Sequence, residues 1–143
     1  MELKTLYDSR TSLVLIGSMK NDWDGGAKTI PETLVNKCWL ICTKLKVQPS
    51  NITVTIRDTI QFEYEPKDKS YLEFEIYRNK ITVLVIENEE DDRSVEFEFK
   101  ANDKDSIIKD MNLLINLFLT KKFDEIRRLI GDAKKWLKLE FLT

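Results

Sequence analysis

The chain of 143 residues contains no histidine, so every catalytic triad, dyad or zinc site that needs an imidazole is excluded. Glycine (4) and proline (3) are scarce, which excludes collagen-like and low-complexity compositions. Long apolar runs are missing. The longest, Leu13 to Ile16 and Leu113 to Leu119 with Asn116 inside it, fall far short of the roughly 20 residues that span a bilayer. The opening Met1-Glu2-Leu3-Lys4 lacks the basic region and apolar core of a signal peptide. There is no basic excess either. The 23 Lys and Arg face 25 Asp and Glu, a net charge of −2, so direct nucleic-acid binding is not expected. Only two cysteines occur, Cys38 and Cys42. Four residues apart on a helix, they stack with poor bridging geometry, and no third soft ligand joins them. They are expected to be small buried apolar residues of a protein of the reducing cytoplasm, with no metal and no cofactor.

The residues that remain, 42% hydrophobic and 34% charged, suit one globular core. Leu3, Leu6, Tyr7, Leu13, Val14 and Ile16 follow a helical period over 2–18. Thr29-Ile30-Pro31-Glu32 has the form of a capping box. It would open a second helix that runs to about Lys46 on Leu34, Val35, Cys38, Ile41, Cys42 and Leu45. From Ile52 the period changes to two. Strands are expected at 52–56, 60–65, 71–77, 81–86 and 94–99, joined by short polar turns that force antiparallel neighbours. The strand Ile81 to Ile86 is apolar on both faces except at Thr82, which predicts a central position. Helical spacing returns after Phe99, with Asp103 or Asp105 as cap, and again over 123–139. The expected fold is α+β: an antiparallel sheet of about five strands with N-terminal and C-terminal helices, in the order α-α-β-β-β-β-β-α-α. Residues 1–120 would form the domain. Residues 121–143 would form an amphipathic helix that docks on it or mediates self-association.

Charge is unevenly spread. Residues 58–100 hold 6 basic and 13 acidic groups, a net −7. Glu63, Glu65, Glu73, Glu75, Glu96 and Glu98 all alternate with the apolar positions of their strands and should share one solvent face. Such a face protects against edge-to-edge aggregation, and it can also dock a protein with a basic surface, including one whose nucleic-acid site is being occupied. Tyr71 and Tyr77 fall on the same face as aromatic anchors. An enzymatic alternative exists in Glu98-Phe99-Lys100, an acid-x-Lys step that could position a metal-bound water with Asp58 as a second acid, as in small nucleases.

The loop Trp23-Asp24-Gly25-Gly26-Ala27 is the most distinctive stretch. With the Pro-containing helix start and the alternating Glu and apolar positions after it, the loop resembles a widespread group of small bacterial and phage proteins with a W-D-G-x-G-A pattern and P-I shortly after. Here the loop is one residue shorter, and Ile30-Pro31 stands in the reverse order. The resemblance covers roughly residues 1–100. It implies an α+β fold with an N-terminal helical layer, and it transfers no catalytic residue. In structural terms Trp23 would plug the gap between helices and sheet, Asp24 would close an Asx turn, and Gly25 and Gly26 would allow positive φ. Alternatively the Gly25 and Gly26 amides could form an anion nest for a small nucleotide, against the opposing charge of Asp22 and Asp24.

The last segment sets Lys121, Lys122, Arg127, Arg128, Lys134, Lys135 and Lys138 beside Phe123, Ile126, Leu129, Ile130, Trp136 and Leu137. This apolar excess predicts a homodimer through the C-terminal helices. The expected function is that of a non-enzymatic binding protein, an accessory of a phage or mobile element that inhibits or neutralises a partner through the acidic sheet face.

Overall fold

A computed structural model describes residues 3–18, 20–21, 28–91, 93–100, 103–131 and 136–139. Helix α1 spans Leu6–Ser18 and is followed by the two-residue strands β1 (Lys20–Asn21) and β2 (Lys28–Thr29) and by helix α2 (Glu32–Cys42). Five strands come next: β3 (Asn51–Val54), β4 (Ile60–Tyr64), β5 (Tyr71–Ile76), β6 (Ile81–Asn88) and β7 (Arg93–Phe99). Helices α3 (Lys104–Leu119) and α4 (Phe123–Ile130) and the strand β8 (Trp136–Leu139) follow, and they are the last elements among the described residues. The expected α+β order of two helices, five antiparallel strands and two helices is therefore present. The strands form a meander in the order β3-β4-β5-β6-β7-β8, with every pair antiparallel. As its two apolar faces require, β6 lies inside the sheet.

Alternation decides which face is covered. Ile60, Phe62 and Tyr64 of β4 and Leu72, Phe74 and Ile76 of β5 are fully buried. They share one core with Val83, Val85, Phe97 and Phe99 and with helical residues: Leu13 and Ile16 from α1, Leu34, Cys38, Ile41 and Cys42 from α2, Met111, Leu114, Ile115 and Phe118 from α3, and Ile126 and Ile130 from α4. All four helices thus cover the same side of the sheet. Two polar contacts lock this layer. The Tyr64 hydroxyl donates to the Val47 carbonyl (2.8 Å), and Lys37 Nζ on α2 donates to the Tyr77 carbonyl (2.7 Å) at the β5–β6 hairpin. Burial lowers the Lys37 pKa, so its ammonium relies on the carbonyls of Tyr77 and Arg78.

Two local expectations are corrected. The capping box at Thr29 does not open α2. Thr29 is extended and paired with Lys20 in the β1–β2 ladder, and Pro31 occupies the N-cap with no side-chain hydrogen bond. Proline supplies the fixed φ, −58° here, that helix entry needs. The single helix expected over 123–139 is also divided. Helix α4 ends at Ile130, and Trp136–Leu139 pairs with β7 from Glu96↔Leu139 to Phe99↔Trp136. Gly131 stands at the break. Phe123, Ile126, Leu129 and Ile130, four of the residues that suggested a helix-mediated homodimer, pack within the chain.

Backbone ¹³C shifts should be helical through Ile130 and extended over 136–139; helical shifts through Leu139 would contradict the sixth strand. Phe74→Ala should lower the unfolding free energy by about 3–5 kcal/mol, read as a lower urea midpoint, because a fully buried ring leaves a cavity at the sheet centre.

Candidate functional site: the open face of the sheet

Cross-strand register arranges the uncovered face in rows. One row runs Asn51, Glu63, Glu73, Leu84 and Glu96 from β3 to β7. The next runs Thr53, Gln61, Glu75, Thr82 and Glu98. A third, shorter row holds Tyr71, Ile86 and Ser94. Glu65 lies exposed just past the end of β4. Neighbouring strands are about 4.8 Å apart, so Glu63 and Glu73 are near neighbours, while Glu96 stands two spacings from Glu73 across Leu84.

The two main rows differ in their chemistry. Glu75 is only 5% exposed, and its carboxylate is fully engaged. Arg57 grips it with two bonds, Nε to Oε2 at 2.9 Å and Nη2 to Oε1 at 3.0 Å. Thr59 Oγ1 donates to it at 2.7 Å and Gln61 Nε2 at 3.4 Å. The β3–β4 turn delivers Arg57 and Thr59 to this point. Asp58 takes φ 59°, a left-handed value that Asp tolerates, and Thr55 N donates to the Thr59 carbonyl at 3.0 Å to close the turn. Burial pushes the Glu75 carboxyl up, but the bonds from Arg57, Thr59, Tyr77 and Gln61 overcome it and hold the pKa at about 2. Tyr77 belongs to the same cluster, with Lys80 Nζ 4.6 Å from its ring centre and 3.7 Å from Glu98.

The row of Glu63, Glu73 and Glu96 has no such cation. Among the described residues no Lys or Arg forms an ion pair with any of the three. Glu63 accepts from Thr53 Oγ1 (2.9 Å) and Glu73 from the Tyr71 hydroxyl (2.8 Å). Each carboxyl is held above its ordinary value. For Glu63 the causes are burial and then Glu65. For Glu73 they are burial and then the Glu75 charge, opposed by the Tyr71 hydroxyl and by the charge of Arg57. For Glu96 they are burial and then Glu73 and Glu75, opposed by the charge of Arg57. Burial also raises the Tyr71 hydroxyl.

Sequence reasoning placed the six glutamates and two tyrosines together and missed the residues that distinguish them. Arg57, Thr59 and Gln61 make Glu75 structural. Leu84 and Ile86, half-buried, form an apolar strip along β6 between the acids of β5 and those of β7. The proposed nuclease pair is not assembled. Asp58 lies in the β3–β4 turn while Glu98 lies on β7, with β4, β5 and β6 between them in the sheet order. Among the described residues no group of three or more acids or cysteines could hold a metal. Cys38 and Cys42 are free and buried, and burial pushes the Cys42 thiol up to about 12, far from reactivity. Trp23, Asp24, Gly25 and Gly26 lie outside the described residues. No described helix is long and apolar enough to cross a membrane.

On the covered side an apolar hollow of about 360 Å³ lies between α4 and strands β6 and β7. Val85, Val95, Phe123 and Ile126 line it beside Ser94, and Arg127 at its rim pairs with Glu87 at 2.6 Å and with Asp124. That cation is already committed within the chain. Comparisons with protein families, with curated proteins and with solved structures returned no match to this chain.

Opposite pKa shifts predict opposite mutational signs. The raised Glu73 carboxyl stabilises the fold only when protonated, below the ordinary value of 4.5, and this is lost as pH rises through its folded pKa. Glu73→Gln should therefore stabilise at pH 7, by about 0.5 kcal/mol, and be neutral near pH 4. The lowered Glu75 contributes above 4.5 and is lost as pH falls through about 2. Glu75→Gln should cost about 1–3 kcal/mol at pH 7. Urea unfolding of both variants at the two pH values checks this.

Proposed function

We propose that the protein is a non-enzymatic binding module whose open sheet face docks a partner protein with a basic surface. One observation carries this: the row of Glu63, Glu73 and Glu96, half-buried, each raised in pKa, and without a cation among the described residues. Solubility and protection from edge pairing require charge, and charge of mixed sign serves them equally well. Like charges in one row cost folding energy at neutral pH. A row of one sign is useful for attracting and orienting a cation-rich partner, since its field raises the encounter rate and the partner's Lys or Arg side chains relieve the repulsion. Glu65, Glu98 and Tyr71 extend the same surface, while Glu75 and Tyr77 brace it through Arg57. Occupation of a basic site on a nucleic-acid-binding partner would neutralise that partner. The W-D-G loop resemblance supports the setting of a phage or mobile-element accessory in the cytoplasm.

The test uses fluorescently labelled nona-arginine and anisotropy at low and physiological salt. The wild-type chain should bind, and affinity should fall as salt rises. The triple variant Glu63→Gln, Glu73→Gln, Glu96→Gln should stay folded and bind at least about tenfold more weakly, since each ion pair removed is worth a fraction of the total. Changing Glu32, Glu89 and Glu125 to Gln alters net charge equally and should leave binding within about twofold. Equal losses in the two triple variants would overturn the assignment of this face.

A further inference from the structure

The acidic face is not uniformly polar. Leu84 and Ile86 run along β6 in the middle of it, half-buried. Register sets Leu84 between Glu73 and Glu96, and Ile86 between Tyr71 and Ser94. The face is thus a short apolar strip, with carboxylates on both flanks of Leu84 and with Tyr71 and Ser94 beside Ile86. Residues two apart on a strand lie about 6.8 Å apart, close to the 6 Å rise between helical positions i and i+4. The two flanking acids stand two strand spacings apart, about 9.6 Å, close to the width of a helix with its side chains.

We infer that the occupant of this face is a basic amphipathic helix of a partner protein, lying along β6. Its apolar ridge rests on Leu84 and Ile86, and Lys or Arg on either side of the ridge reach Glu73 and Glu63 on one flank and Glu96 on the other. This rests on the proposed docking role of the face and adds the form of the partner. An extended polybasic segment or a flat basic surface would engage the acids and leave the apolar strip unfilled. A helix fills both, in the manner of helix-in-groove recognition with anchors at i and i+4. Its positive charges also remove the like-charge repulsion that the row carries in the free protein.

Two peptides of identical Leu and Lys composition test this. One is ordered so that leucines fall at i, i+3, i+4 and i+7. The other is permuted so that no helical face is apolar. Measured by anisotropy on the full chain, the amphipathic peptide should bind about tenfold more tightly, the gain expected from burying two aliphatic contacts. The pair Leu84→Thr, Ile86→Thr keeps strand-favouring side chains and should bring the two peptides to equal affinity. Circular dichroism of the bound amphipathic peptide should show added helix. Equal affinities for the wild-type chain, or a preference that survives the two threonines, would overturn the helix and leave the acidic docking face standing. Failure of both peptides to bind would overturn the docking role itself and the helix with it.

Discussion

A strand sends successive side chains to opposite faces, so a meander whose Phe62, Tyr64, Leu72, Phe74 and Phe97 point to the helices must present the intervening glutamates on its other side. This one-sided burial governs the rest of the molecule. It gathers α1 to α4 into one layer, because every helix has an apolar stripe and only one sheet face can receive it. It also concentrates the negative charge of residues 58–100, since the polar positions of four strands have one surface to share.

Concentrated charge requires local solutions, and the fold supplies one for one carboxylate. Glu75 is buried deeply enough that an unpaired charge would be costly, and the β3–β4 turn brings Arg57 and Thr59 to meet it. Glu73, two residues earlier on the same strand and face, has only the Tyr71 hydroxyl. The two acids therefore shift in opposite directions: donated bonds outweigh burial at Glu75, while burial and the neighbouring Glu75 charge prevail at Glu73. The turn therefore divides the face into a braced end around Arg57, Tyr77 and Lys80 and an uncompensated end around Glu63, Glu73 and Glu96.

Most of the fold was legible in the sequence because the hydrophobic period is unambiguous where elements are long. β4, β5 and β7 each alternate over five or more residues, and α3 keeps its stripe for 16 residues. The C-terminal segment was not legible for the converse reason. Trp136-Leu137-Lys138-Leu139 extends the helical spacing of Ile126 and Ile130 and equally alternates as a strand, and four residues cannot separate the two periods. The free edge of β7 decided it, a tertiary fact absent from local pattern. The motif at Thr29 failed similarly. The capping-box pattern was present, but pairing with β1 took the Thr29 backbone into a ladder.

The candidate site was legible as a set of residues and not as a set of environments. Alternation alone puts Glu63, Glu73, Glu75 and Glu96 on one face, but it treats them as equivalent. Their differences depend on register, which decides that Gln61 stands beside Glu75 and that Glu63 stands beside Glu73. A slip of two residues between β4 and β5 would keep the apolar side chains facing the core and would change these neighbours, setting Gln61 beside Glu73 in one direction or Glu63 beside Glu75 in the other. The Asp68–Ser70 turn, which joins β4 to β5, fixes that register. The charge pattern of the face is therefore set by turn chemistry as much as by the glutamates themselves. A substitution at Asp68 that lets β5 slip against β4 would redistribute charge across the sheet without touching an acid on it.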